Sequence, residues 1–197
     1  MTLLVLGLVL FLGVHAAQWP KGLRAGAVAR MGLGPWKGLY SLASIAGFAL
    51  IIIGYGEARL TAPLILYEAP TWAKHLSLVL APIAFILLAA AYAPAGRIKA
   101  AVKHPMVLGV KVWALAHLLA NGDLASVLVF GAFLAWAVGT RLSLARREKA
   151  GLASPPVAGP HALIGDGAAI VGGLAASAAF IIWLHPLWIG VAVWPGA

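Results

Sequence analysis

In this chain of 197 residues, 63% are hydrophobic and only 10% charged, whereas an ordinary soluble domain is roughly half apolar and a quarter charged, so water is excluded as its main solvent. The formal net charge of +9 is spread over short clusters between apolar runs, which excludes nucleic acid as a partner and reads as a topology signal. The absence of cysteine excludes disulfides, zinc thiolate sites, iron–sulfur clusters and thiolate-ligated haem, so any redox centre must use histidine or a carboxylate.

In chain order, the first apolar stretch, Leu3 to Ala17, imitates a signal peptide, but the bases follow it at Lys21, Arg24, Arg30 and Lys37. That order predicts a retained first helix with its N-terminus outside. Further apolar stretches run from Leu39 to Tyr55, Leu76 to Tyr92, Met106 to Ala120, Leu124 to Thr140 and Leu163 to Leu184. A helix crosses a bilayer core with about 20 apolar residues, so the expected fold is an all-α integral membrane bundle of about six transmembrane helices. Positive charge sorts onto alternate loops: of the 14 Lys and Arg, all but Arg59, Lys74 and Lys111 fall before Leu39, between Ala93 and Pro105, or after Thr140. Such an excess marks the cytoplasmic face, which places both termini on the non-cytoplasmic side. No repeat or linker divides the chain, and residues 1–197 read as a single domain.

Between the fourth and fifth stretches, Asn121-Gly122-Asp123 leaves room only for a tight reversal, predicting an antiparallel hairpin. Gly47, Gly54, Gly131, Gly172 and Gly173 lie inside apolar runs, where small residues let helix backbones approach closely.

Ionisable side chains inside a bilayer are expensive and usually face a partner or cofactor, which singles out His15 and His117 as the intramembrane pair. His104 and His185 each precede a proline, in KHPMVLG and LHPLWIG, where a helix-start role is expected. Trp113, His117 and Asn121 share one stripe of the fourth helix, and Leu8 and Phe11 share the face of His15. An imidazole among aromatic and aliphatic groups is what an axial haem ligand requires; the alternative is that each histidine only hydrogen-bonds a neighbouring helix. Depth counts against a simple pairing, because His15 is about 9 Å along its helix from Lys21 and His117 about 21 Å from Lys103. The depths agree only if Lys111 marks the cytoplasmic boundary, so His104 is kept as a reserve ligand for His15. Lys111 itself snorkels or meets an acidic group.

FLGVHAAQWPKGLR and KHPMVLGVKVWALAHLLANGDLASVLVFG resemble the NnrU family, which includes the 15-cis-zeta-carotene isomerases of plants and cyanobacteria. The likeness runs nearly end to end, including the terminal HPLWIG. In the isomerase branch it implies haem b held by two intramembrane histidines, which carry over to His15 in FLGVH and His117 in VWALAH. Ala114 stands where plant isomerases have a cysteine, so a thiolate-to-histidine ligand switch is impossible in this chain, and Lys103 stands where they have arginine. A wider pattern, His104-Pro105 with Gly109, is similar to that of isoprenylcysteine and phospholipid methyltransferases, but the paired glutamates expected later reduce to Glu148, which disfavours methyl transfer.

The resemblance therefore implies a bacterial inner-membrane protein tied to nitrite and nitric oxide reduction in denitrification, holding haem b through His15 and His117. Arg24, Lys103 and Lys111 are candidates to neutralise the propionates. Two other functions stay open: a haem-dependent cis–trans isomerase of a polyene, carotenoid-like lipid, and a cofactor-free scaffold that assembles a reductase complex.

Overall fold

The computed structural model describes residues 1–61 and 63–193. Helices α1 (Thr2–Ala16), α2 (Leu23–Met31), α3 (Leu33–Leu60), α4 (Thr71–Tyr92), α5 (Arg97–Val102), α6 (Pro105–Ala120), α7 (Leu124–Lys149) and α8 (Ala162–Ala179) are followed by a wider helical turn, Phe180–Leu184, and by α9 (His185–Ile189). Glycines in the left-handed region at Gly22 and Gly32 (φ 81° and 86°) break the chain into α1, α2 and α3, a conformation that side chains resist. Pro105 opens α6, where its missing N–H costs nothing. Asp123 caps α7, its carboxylate accepting from Ser126 N at 2.9 Å.

Four of these helical stretches are long and apolar enough to cross a membrane: α3 with 28 residues, α4 with 22, α7 with 26, and Ala162–Ile189 with 28. The expectation of six such spans is met only in part, because α1 has 15 residues and α6 has 16. Both are stopped by local chemistry. Trp19-Pro20 follows α1, and α6 is confined between Pro105 and the Asn121-Gly122-Asp123 reversal. The long helices overrun their apolar stretches in the other direction: α7 continues from Thr140 to Lys149 through residues whose polarity marks the end of the apolar layer and not the end of the helix. The short helices α2 and α5 have no counterpart among the expected spans.

The long helices stand in a row, α3–α1–α7–α6–α4–α8, each packing on the next. The α6–α7 hairpin lies at the centre of this row, as the tight reversal predicts. The core gathers Leu4, Leu8, Ile51, Ala114, Val129 and Phe130 where α1, α3, α6 and α7 meet. Large apolar side chains on the outward faces, such as Leu42, Ile45, Ile52 and Ile53 of α3, remain exposed, which suits lipid and not water. Of the glycines expected at helix contacts, Gly47 sits against the backbone of Phe11, where a Cβ would lie 2.7 Å from the amide nitrogen. Gly54 meets Leu4 in the same way and Gly173 meets Ile86, whereas Gly131 and Gly172 face open space and are not packing residues.

Candidate functional site

A file of rings runs through the centre of the bundle. On α7, Phe130, Phe133 and Trp136 recur three residues apart and so drift slowly around one side of the helix. His117 of α6 stacks on Phe130 with centroids 4.4 Å apart and lies 5.1 Å from Trp113. Trp113 meets Phe133 at 5.5 Å, Phe133 meets Phe11 of α1 at 5.7 Å, and Phe11 meets His15 at 4.3 Å. His15 ends the file against Tyr40 at 5.3 Å and Trp136 at 6.1 Å. Phe130, Phe133, Trp136 and Tyr40 are the members that sequence reasoning missed, although the spacing of the first three in FGAFLAW was a signal.

Both imidazoles are oriented alike. Nδ1 of His15 lies 2.6 Å from the carbonyl of Phe11, and Nδ1 of His117 lies 2.9 Å from that of Trp113. A carbonyl only accepts, so each Nδ1 carries the hydrogen and donates, leaving Nε2 as the lone-pair nitrogen of the neutral ring. Metal-binding histidines are oriented by this kind of outer bond. Asn121 completes the expected stripe by donating through Nδ2 to the carbonyl of His117 at 2.9 Å.

The two rings are not brought together. His117 meets α7 at Phe130 and His15 meets it at Trp136, six residues further on, which is about 9 Å of helix rise. Metal–imidazole bonds are about 2 Å long, so two axial ligands of one iron would face each other across about 4 Å. Phe11, Phe133 and Trp113 fill the interval instead. As placed here, the two imidazoles stand at opposite ends of the file and do not face each other across one site.

His104 takes no part in this file. Its Nε2 donates to Glu148 Oε1 at 2.6 Å, and the same carboxylate holds Lys103 Nζ at 3.4 Å and Arg141 at 3.8 Å. Lys103 turns through φ 62°, ψ −49°, with His104 N bonded to the carbonyl of Val102 at 2.7 Å. This three-residue turn, rare and strained for a residue with a side chain, aims both Lys103 and His104 at Glu148. Lys111 is half-buried and has no hydrogen bond or ion pair among the described residues. His185, beside Phe180 at 6.0 Å, bonds the carbonyl of Val191 at 2.7 Å and so ties the chain beyond α9 back onto it.

At the opposite end of α6 and α7, Tyr55 of α3 bonds Ser126 at 2.8 Å, and Ser126 donates to Asp123 at 2.6 Å. The segment before α4 closes over this end: Leu66 N donates to Gly122 O and Leu124 N to Leu64 O, each at 2.8 Å. Tyr67 adds bonds from its hydroxyl to the carbonyls of Leu118 and Asn121. Burial, and then the Asp123 carboxylate, raise the Tyr67 phenol above its usual range.

An all-helical fold with four helical stretches long and apolar enough to cross a membrane, and apolar side chains on their outward faces, marks the class of helical membrane proteins. More narrowly, the family described as NnrU protein matches residues 3–193, and the chain belongs to the NnrU family. No curated protein and no solved structure matches it.

Proposed function

We propose that the chain is a six-crossing protein of the bacterial inner membrane that carries haem b on His117 and serves nitrite and nitric oxide reduction. In this reading α1 and α6 cross beside the four longer spans, the basic loops face the cytoplasm and both termini lie outside. The observation that supports haem is the state of the imidazole: Nδ1 is committed to a backbone carbonyl, and Nε2 has no hydrogen bond among the described residues and lies near aromatic rings. His117 is preferred to His15 because its ring, oriented by the carbonyl of Trp113, stacks on the buried Phe130. Haem with one protein ligand would supply an iron with an open position where nitric oxide binds. The protein's part is to hold the His117 ring in one tautomer and to surround it with apolar side chains. The bilayer itself suits a small apolar ligand.

The test is an optical and resonance spectrum of detergent-purified protein expressed with ample haem, comparing wild type with His15→Ala and His117→Ala. The expected result is a b-type, high-spin spectrum lost in His117→Ala and kept in His15→Ala. A low-spin spectrum lost in either variant would mean that both histidines bind one iron and that α1 and α6 pack differently around it. Wild-type protein without a Soret band would leave the scaffold reading in place of the haem one.

A further inference from the structure

A cavity of about 410 Å³ opens between the connection from α1 to α2 and the C-terminal end of α7. We propose that it binds a phosphate-bearing anion, drawn either from a lipid headgroup of the cytoplasmic leaflet or from free phosphate. The size falls within the range of sites that hold small molecules. Its charged lining residues are Arg24 and Arg147, joined by Gln18, Gly22, Val28 and Leu33, and no carboxylate among the described residues lines it.

Two guanidinium groups on one cavity repel each other unless an anion lies between them, and this chain has little negative charge to give. It holds five acidic residues. Glu148 is committed to Lys103, His104 and Arg141, and Asp166 to the amides of Arg97 and Ile98. Asp123 caps the far end of α7, with Glu57 and Glu68 also at that end of the molecule. None of these five side chains neutralises Arg24 and Arg147, which leaves the pair open to an anion from outside the chain.

The walls are held in place and match the ligand chemistry. Arg147 donates to the carbonyl of Gln18, which fixes its planar fork while leaving other donors uncommitted. Trp19 anchors the connection by donating to Thr140 at 3.0 Å and packing on Gly139. Arg24 is exposed and makes no hydrogen bond or ion pair among the described residues. Guanidinium groups bind phosphate oxygens in bidentate fashion, while Val28 and Leu33 give an apolar wall beside them. Exposed Leu23 and Met31 put α2 at an apolar boundary, and basic pockets on the cytoplasmic side of membrane helices suit anionic headgroups. This inference is independent of haem.

The experiment uses the full chain in phosphatidylcholine nanodiscs, with two arms. In one, a tenth of the lipid is phosphatidylglycerol and bound lipid is counted by native mass spectrometry. In the other, thermal unfolding is followed in sodium phosphate against sodium chloride of equal ionic strength. Arg24→Gln is the cleaner variant because Arg24 has no hydrogen bond or ion pair among the described residues, and in phosphatidylcholine and chloride it should unfold no lower than wild type. Losing one charge-assisted contact is expected to lower phosphatidylglycerol retention about tenfold, and Arg24→Gln with Arg147→Gln should lower it further. Phosphate stabilisation that is absent in Arg24→Gln, without selective lipid retention, would identify a soluble occupant of the same site. Equal retention by wild type and the double variant, with no phosphate-specific stabilisation, overturns the proposal.

Discussion

At its N-terminal end, α7 is closed by directed hydrogen bonds: Asp123 holds Ser126, Ser126 meets Tyr55, and the Leu64–Tyr67 segment pairs its backbone with Gly122 and Leu124. At its C-terminal end a single carboxylate, Glu148, faces Lys103, His104 and Arg141, with Arg146, Arg147 and Lys149 as immediate neighbours. One end is held by directed bonds between neutral groups and one capping carboxylate; the other is held by charge that the chain does not balance. The first should resist salt and tolerate little change of shape, while the second should respond to ions and tolerate substitution better.

Substitutions at the two ends sharpen that contrast. The largest effect is expected from Gly122→Ala, because its Cβ would press on the carbonyl of Tyr67 and force apart the backbone pairing around it. Overpacking of this kind costs about 3 kcal/mol, read as a fall in unfolding temperature in detergent that added salt does not reverse. Asp123→Ala should cost about 1–2 kcal/mol through loss of the α7 cap and leave the Ser126 and Tyr55 hydroxyls bonded only to each other. Its deficit should be equal at low and high salt. Glu148→Gln should have the smallest effect, a lower unfolding temperature at low ionic strength that recovers as salt screens the surrounding bases. A Glu148→Gln deficit that persists in high salt would show that the C-terminal end of α7 is held by hydrogen-bond geometry after all.

Much of this architecture can be read in the chain. The α6–α7 hairpin follows from Asn121-Gly122-Asp123, and the stripe Trp113, His117, Asn121 follows from helical spacing, because both depend on local geometry. The order of the row does not follow, since membrane helices are apolar on every face and their pattern shows no side that must meet a partner. Gly47 and Gly131 illustrate the point: each is a glycine in an apolar run, and only their neighbours decide which one touches a backbone. The unequal depths of His15 and His117 were visible in their distances from Lys21 and Lys103. What the sequence could not show was that Phe11, Phe133 and Trp113 occupy the space between them. The turn at Lys103 was equally hidden, because its strain is imposed by the need to bring two adjacent side chains to one carboxylate on another helix.

The two shortest long-axis helices, α1 and α6, stand on either side of α7 near the middle of the row. At 15 and 16 residues they reach about 22–24 Å, less than the roughly 30 Å hydrocarbon layer. If α1 and α6 cross the membrane as proposed, hydrophobic mismatch falls near the middle of the row, where lipid would thin or headgroups and water would dip inward along these two helices. In that arrangement the histidine near the end of each helix would lie closer to an aqueous surface than the middle of the bundle, which would shorten the path for a proton or a polar ligand.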